Sequence, residues 1–446
     1  FDVFYRNNPD NGGFAIFAGL QQVVEYIENL HFSEEDVEYL RSKRLFTEEF
    51  LEYLLHFRFR GDIYAMKEGT VMYPNEPVMT VVAPLIDAQL IETTILLEIN
   101  HQSLIATKTN RIVQAANGKP VSDFGARRAH NVDAAVYGAR AAYIGGAAGT
   151  ATVLAGKMFH IPISGTMAHS WVMTFDSEYD AFKAYAESYP DGTVLLVDTY
   201  DVLKSGVPNA IRTAREVLEP MGKKLIGIRL DSGDLAYLSK EARKMLDEAG
   251  LPDCMIVASN SLDEYTISSL NRQGAKIDSY GVGERLITSS STPVFGAVYK
   301  LVAIQKDGKF IPKIKISETA EKITNPGIKE VYRVYDENGK AVADYLAVKG
   351  EQIRDFEPVR YVDPVNYWKN RSFVGCRFKK LQVPVFEKGK RIYDLPDIEE
   401  IRQYVKDQLE NEIWEEEQRF ENAHTHYLDM SPAMFELKMS LLHEEN

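Results

Sequence analysis

The run Ile163-Ser164-Gly165-Thr166-Met167-Ala168-His169-Ser170-Trp171 places a histidine among hydroxyl residues just after a glycine. A short apolar strand, Ile161 to Ile163, is expected before it, and a helix is expected to begin at His169. A histidine in the first turn of a helix meets the positive end of the helix dipole, which disfavours imidazolium. The neutral ring is a nucleophile or a base, and the free N–H groups of the same turn would hold an anion attached to it. An ordinary hydrogen-bonded histidine at a helix start has the same local sequence.

A second constellation lies in Leu225-Ile226-Gly227-Ile228-Arg229-Leu230-Asp231. Side chains alternate faces along a strand. Ile226, Ile228 and Leu230 therefore share a face toward covering helices, and Gly227, Arg229 and Asp231 share the other. An arginine and an aspartate side by side form a structural ion pair, or bind a ligand carboxylate and ligand hydroxyls. Near the His169 loop the ligand role is favoured.

Each expected strand of the middle region ends in polar or glycine residues. Asp123-Phe124-Gly125-Ala126-Arg127 follows Pro120–Ser122, Gly165-Thr166 follows Ile161–Ile163, and Asp198-Thr199-Tyr200-Asp201 follows Val194–Val197. Asp231-Ser232-Gly233-Asp234 follows Leu225–Leu230, Ser259-Asn260-Ser261 follows Met255–Ala258, and Gly281-Val282-Gly283-Glu284 spans the end of Ser279–Gly281. In parallel α/β folds the active site lies at the C-terminal ends of the strands, so six such ends point to one site. Gly145-Gly146-Ala147-Ala148-Gly149-Thr150 and Gly281-Val282-Gly283 would let backbone N–H groups approach phosphates, although such glycines also mark tight turns. Neither a Walker loop nor a dinucleotide-binding fingerprint is present.

Helical patterns separate these strands: Arg128–Tyr143, Tyr179–Ser188, Asn209–Pro220, Leu235–Ala249 and Ser261–Gln273. Strand and helix alternating at this rhythm imply parallel strands with crossover helices. The expected fold class is α/β: an irregular TIM-like β/α barrel with a second α/β domain built from the N-terminal and C-terminal segments. Residues 1–119 would form the N-terminal part of that second domain, 120–295 the barrel core, and 296–446 the C-terminal strands and acidic helix. Within the first segment, Glu34 to Leu55 carries a broken helical stripe, Val71 to Ala83 reads as strands, and Leu90 to Ile105 as one long helix. After about residue 295, Val298–Gln305, Lys309–Ile316, Val331–Tyr335 and Ala341–Ala347 read as antiparallel strands joined by glycine turns, followed by an acidic helix over Ile398 to Phe420.

The net charge of −14 argues against a general nucleic-acid binder, and about half of the excess lies in residues 401–446, with eleven acidic and four basic side chains. Basic clusters such as Arg127-Arg128 must therefore attract anions locally. No apolar run approaches the eighteen residues of a membrane span, so no membrane partner is expected. Two cysteines, Cys254 and Cys376, fit a reducing compartment, and a cytoplasmic location is expected. The chain opens at Phe1-Asp2-Val3-Phe4 without a methionine, so its first residues are expected to be missing from this sequence.

Together these runs resemble the nicotinate phosphoribosyltransferase family. The matching signatures are Asp123-Phe124-Gly125-x-Arg127-Arg128-Ala129, Gly165-Thr166-Met167-Ala168-His169-Ser170, Arg229-Leu230-Asp231-Ser232-Gly233-Asp234 and Gly281-Val282-Gly283-x-Arg285-Leu286-Ile287-Thr288. Asn325-Pro326-Gly327 and the segment from Asp394 into the acidic helix are also similar. The resemblance implies that nicotinate and 5-phosphoribosyl pyrophosphate become nicotinate mononucleotide and pyrophosphate, in NAD biosynthesis and salvage, with ATP as co-substrate and Mg²⁺ as cofactor. It implies that His169 takes the γ-phosphate of ATP, that Phe124 stacks on the pyridine ring, and that Arg229 with Thr166 clamps the nicotinate carboxylate. By the same resemblance Asp231 accepts from the ribose hydroxyls, and Arg127, Ser259, Asn260, Gly283 and the amide of Glu284 cradle phosphates. Thr288 falls within the last signature and is implied as a further binding residue. No metal ligands are implied. A homodimer with shared active sites is the expected assembly. The family carries an N-terminal Thr-Asp-x-Tyr-Gln segment whose tyrosine stacks on the ring from the partner subunit, and this sequence starts beyond that point.

Three other readings fit parts of the pattern. The same scaffold could use nicotinamide; an amide site should offer an acidic acceptor, and Arg229 with Arg127 favours an acid, though amide-using relatives share similar arginines. An unrelated TIM-barrel sugar-phosphate lyase would want a Schiff-base lysine at a strand end, and Lys157 and Lys204 lie off those ends. A non-catalytic binding protein would bind the ligands without turnover.

Overall fold

The computed structural model describes residues 1–319, 322–368 and 370–444. The chain divides into two compact units, Phe1–Leu104 with Val294–Asn446, and Ile105–Pro293.

In the unit Ile105–Pro293 six short strands run parallel: β1 (Val121–Asp123), β2 (Gly149–Thr150), β3 (Val194–Leu196), β4 (Gly227–Leu230), β5 (Met255–Ala258) and β6 (Ser279–Val282). Their order is β2-β1-β6-β5-β4-β3. Helices intervene as the sequence pattern requires, at Val132–Ile144, Glu178–Ser188, Leu235–Glu248 and Glu264–Arg272 among others. Each of these four starts on an Asn, Ser or Asp whose side chain accepts an orphan N–H of the first turn. The stretch read as one helix from Asn209 to Pro220 is the helix Val207–Thr213 between two π-turns, Val202–Gly206 and Ala214–Leu218.

The alternation read in β4 holds. Ile228 and Leu230 are fully buried, whereas Arg229 and Asp231 keep 16% and 25% of their side chains exposed toward the strand ends. The expected strand Ile161–Ile163 is reduced to a single bridge between Ile163 and Thr150. Pro162 sits in its middle and has no N–H to give a ladder; its carbonyl accepts from Thr150 N instead. Gly149 of β2 allows that approach, because a Cβ there would stand 2.5 Å from Pro162 O.

In the other unit the N-terminal and C-terminal segments interleave. Asp2–Phe4 pairs antiparallel with both Met79–Val82 and Val298–Lys300, and Asp62–Met66 pairs with Gln382–Glu387. A second sheet joins Lys329–Tyr335, Ala341–Val348 and Leu428–Met430 with Val359–Val362, Asn370–Phe373 and Arg377–Lys380. Glu34 to Leu55 forms two helices, Glu34–Ser42 and Glu48–Leu55. The expected acidic helix is α-helical only over Ile398–Asp407 and passes into a π-turn over Gln408–Glu412, where Gln408 turns inward. Its side-chain oxygen accepts from Val71 N and its amide donates to Gly69 O. The long helix runs over Glu92–Ala115, past its expected end at Ile105. Its last turns bury polar residues, Lys108 at 2% exposure among them, that an apolar pattern cannot reveal; Lys108 is paired with Glu264 at 2.9 Å.

This unit also encloses a charged cluster. Arg333, fully buried, donates to both oxygens of Asp344 at 2.9 and 2.8 Å. His426 stacks on Tyr73 with ring centres 3.7 Å apart and contacts Glu417 at 3.1 Å. Burial opposes a charge on His426, but Asp344 and Glu417 outweigh it and raise its pKa above the usual 6.5. A group raised on folding stabilises in full below its unfolded value and loses that contribution as pH rises through the folded value. Asp344→Ala, which strands Arg333, should cost about 3–5 kcal/mol in chemical denaturation. The stability gap between the protein and His426→Gln should narrow as pH rises from 6.5 upward. A widening gap over that range would contradict this account of the cluster.

Candidate active site

The strand ends of the parallel sheet open into a cavity of about 410 Å³. Its lining brings together Phe124, Arg127, Thr166, His169, Arg229, Asp231, Ser259, Asn260, Gly283 and Glu284. Thr288, the remaining candidate, does not line it. Its hydroxyl turns back to donate to Glu284 O at 2.7 Å.

Arg229 is the most connected side chain of the cavity. Its Nε donates to Ser259 Oγ at 2.9 Å, Nη1 to Thr166 Oγ1 at 2.7 Å, and Nη2 to Asp231 Oδ1 at 2.9 Å. Ser259 Oγ also donates to Asp231 Oδ1. These bonds fix the guanidinium plane; Nη1 also lies 3.5 Å from Met167 O, and one N–H of Nη2 is left for a ligand. Asp231 Oδ2 carries no hydrogen bond among the described residues.

Phe124 lies beside this arginine, with the guanidinium carbon 5.7 Å from the ring centre. Two contacts set the ring. Asp123 is buried and accepts from Gly125 N at 2.8 Å and Thr150 Oγ1 at 2.7 Å, which pins the turn behind it. Burial pushes the Asp123 carboxyl up, against those two hydrogen bonds. In front, the ring covers Gly281, where a Cβ would stand 2.4 Å from two ring carbons. Glycine at 281 is thus a requirement of the ring's position.

His169 begins a helix of only five residues, His169–Met173, with no side-chain cap. A single turn carries little macrodipole, so the environment expected from the sequence is replaced by a side-chain contact. His169 Nε2 lies 3.1 Å from Asp198 Oδ1, and the Asp198 side chain is 1% exposed. The other Asp198 oxygen accepts from Ser232 Oγ at 2.6 Å and Asp231 N at 3.1 Å. A carboxylate accepts, so Nε2 carries the proton in the neutral ring and Nδ1 carries the lone pair. Asp198 was visible in the sequence as a strand-end acid, but its pairing with His169 was not.

Asn260 and Ser261 are both left-handed, at φ 85° and 51°, which turns the loop after β5 sharply at the cavity wall. Arg128 and Arg285 line the cavity as well, the first 3.5 Å from Glu284. The glycine-rich Gly145 to Thr150 stretch lies outside the lining. Gly145 sits close to the helix Glu92–Ala115, where a Cβ would stand 2.3 Å from Ala106 O, and Gly149-Thr150 is β2. The carboxylates of the lining are Asp231 and Glu284, and no group of three His, Cys, Asp or Glu suited to a metal occurs among the described residues. No helix of the described residues is long and apolar enough to cross a membrane.

The cavity thus combines an aromatic face, an oriented guanidinium, an Asp–His pair and sharply turned loops. Comparison with known proteins finds matches over most of the chain. The N-terminal domain of the nicotinate phosphoribosyltransferase (NAPRTase) family matches residues 1–100, the NAPRTase family itself residues 120–339, and the C-terminal domain residues 328–438. The nicotinate phosphoribosyltransferase of Bacillus subtilis is 48% identical over 100% of this chain and 90% of that protein. A nicotinate phosphoribosyltransferase of Mycobacterium tuberculosis is 42% identical over 92% of this chain and 81% of that protein. The crystal structure of human nicotinic acid phosphoribosyltransferase superimposes with a TM-score of 0.87 at 26% identity, over 99% of this chain and 95% of that one. The chain belongs to the nicotinate phosphoribosyltransferase family and is an enzyme of that type.

Proposed function

We propose that the cavity joins nicotinate to 5-phosphoribosyl pyrophosphate, releasing nicotinate mononucleotide and pyrophosphate for NAD biosynthesis, with ATP hydrolysis assisting. The observation that carries this reading is Arg229, held by three side chains beside Phe124. Nicotinate is a flat ring with a planar anion. Phe124 offers the ring a face, and Arg229 with Thr166 offers the carboxylate paired charge-assisted donors.

In the transfer the pyridine nitrogen lone pair forms the bond to C1 of the ribose while the C1–oxygen bond to pyrophosphate breaks. The ring nitrogen of nicotinate has no proton to lose, so no general base is needed. The free Oδ2 of Asp231 is suited to accept from the ribose hydroxyls. Arg127 is exposed and has no partner among the described residues, so it is available to the phosphates of the substrate with Ser259, Asn260, Gly283 and the Glu284 amide. Magnesium belongs with the substrate here. An ion carried on a diphosphate keeps most of its water and needs few protein oxygens, which suits a lining of scattered carboxylates.

His169 is the phosphate acceptor in this reading. The Nδ1 lone pair bonds the γ-phosphorus, the bond to the bridging oxygen breaks, and ADP leaves. Asp198 holds the tautomer that makes Nδ1 the nucleophile. The added charge on the ring would then reorganise the donor site.

The same reading closes the parallel strands into an irregular barrel, with Ile161–Ile163 as a seventh position. The strand order supports it. From Ile163 through β2, β1, β6, β5 and β4 to β3 the chain order is cyclic, with its gap between Ile163 and β3. One hydrogen bond spans that gap, His169 to Asp198 after β3, and Arg229 of β4 reaches past β3 to Thr166. We extend the reading to a homodimer with shared sites. Exposed apolar side chains support it, with Leu154 and Met158 at 48%, Ile163 at 60% and Met173 at 66% in segments beside the His169 loop. We place the enzyme in the cytoplasm, where its phosphorylated substrates are made and its two unpaired cysteines stay reduced.

Nicotinate should exceed nicotinamide in kcat/KM by roughly a hundredfold, about 3 kcal/mol, because a neutral amide cannot match the carboxylate–Arg229 pairing. Equal values for the two pyridines would exclude that pairing. Gly281→Ala should displace the Phe124 ring and raise the nicotinate KM about tenfold, with the donor KM nearly unchanged. A parallel rise in both would mean that the ring does not mark the pyridine subsite. Incubation with γ-labelled ATP should give an acid-labile, base-stable label that His169→Ala removes, along with the ATPase activity, while slow ATP-independent synthesis survives. Asp198→Asn should lower the ATP-driven rate at least about tenfold, or 1.4 kcal/mol, against a nearly constant ATP-independent rate. Equal losses in both rates would remove the Asp–His pair from the coupling.

A further inference from the structure

His169 and Asp198 meet across two segments, and a second contact ties those segments together behind the pair. The short helix His169–Met173 leads into the helix Glu178–Ser188, which Ser177 caps. Asp198 leads into the π-turn Val202–Gly206 and the helix Val207–Thr213. Glu178 joins the two. Its Oε2 accepts from Ser205 Oγ in the π-turn and from Asn209 Nδ2 at 2.9 Å. Glu178 is 4% exposed, and its Oε1 is buried with no partner among the described residues. The first turn of a helix favours a carboxylate, but a buried oxygen without a donor is costly. An apolar side chain would fill that space without the penalty, so the tie itself is what the carboxylate contributes.

The turn that Glu178 holds is pressed against the residue before Asp198. Asp201 Oδ1 accepts from Leu203 N and Lys204 N at 3.1 and 2.9 Å, which starts the π-turn. Gly206 ends it so close to the backbone that a Cβ would stand 1.9 Å from Val197 O. On its other side Val197 N donates to Arg229 O of β4 at 3.1 Å. Val197 is thus wedged between β4 and the π-turn, and Asp198 projects from that wedge. Single π-turns occur frequently at functional sites, where they set a geometry that a regular helix cannot. The contacts close a circuit: along the chain from His169 to Glu178, across to Ser205, through the turn to Val197, and from Asp198 back to His169. We infer that Glu178 is a positioning residue for the His169–Asp198 pair, holding the π-turn so that the Asp198 carboxylate stays within reach of His169 Nε2. Glu178 itself lies outside the cavity lining. The inference rests on the phosphate acceptance proposed above for His169.

A double-mutant cycle tests it, read in the rate at which γ-labelled ATP labels the protein, with ATP-independent synthesis measured beside it. Glu178→Ala should slow labelling about tenfold and leave ATP-independent synthesis within about twofold. Glu178→Gln keeps an oxygen for Ser205 or Asn209 and should recover most of the labelling rate. With Asp198→Asn already in place, adding Glu178→Ala should slow labelling by less than about twofold more, because the contact it positions is already lost. Ser205→Ala leaves Asn209 on the carboxylate; it should slow labelling severalfold, and it carries the same cycle should Glu178→Ala fail to fold. Losses that multiply in the double variant, or equal losses of labelling and of ATP-independent synthesis, overturn the assignment and leave Glu178 a support of the fold alone. A wild type that takes no label, or whose label survives His169→Ala, overturns the phosphate-acceptor reading itself, and this proposal with it.

Discussion

Arg229 is the constraint on which the site depends. A guanidinium one residue from the end of a buried strand is costly unless its donors are matched. Here three side chains match them, and each comes from a different segment: Thr166 before the His169 turn, Asp231 at the end of β4, and Ser259 after β5. Bonding them sets the cavity floor. The same network reaches the histidine, because Asp198 accepts from Asp231 N and Ser232 on one oxygen and faces His169 with the other. In the proposed reading, carboxylate recognition and phosphate acceptance are thus joined through a few hydrogen bonds.

Glycine does complementary work at two points. Gly281 leaves room for the Phe124 ring, and Gly149 lets β2 approach Pro162 O. Neither substitution would be tolerated without moving the backbone or the ring. The buried Arg333–Asp344 pair belongs to the other unit, where the Nε–Nη2 edge of the guanidinium is committed to one carboxylate.

Much of the site was legible because strand alternation and strand-end chemistry are local. Arg229 and Asp231 share a face for the reason that Ile228 and Leu230 share the other. What stayed hidden depends on contacts distant in sequence. His169 and Asp198 are separated by 29 positions, and no spacing rule links them. The helix expected at His169 proved to be only five residues long, and a contact with the Asp198 carboxylate fixes the ring instead. Gly149-Thr150 looked like a phosphate loop because a two-residue strand leaves no periodicity to read. Thr288 shares a motif with cavity residues, yet its hydroxyl satisfies its own helix end. Buried polar residues carried the helix Glu92–Ala115 beyond the limit that apolar spacing suggested.

The claim that Arg229 and Phe124 together read the pyridine acid is tested most directly by a crystal structure with nicotinate bound. The account predicts both carboxylate oxygens within hydrogen-bond distance of the Arg229 guanidinium or the Thr166 hydroxyl, with the ring lying over Phe124 and its nitrogen toward Asp231. A carboxylate held elsewhere, or a ring that leaves Phe124 uncovered, would contradict it.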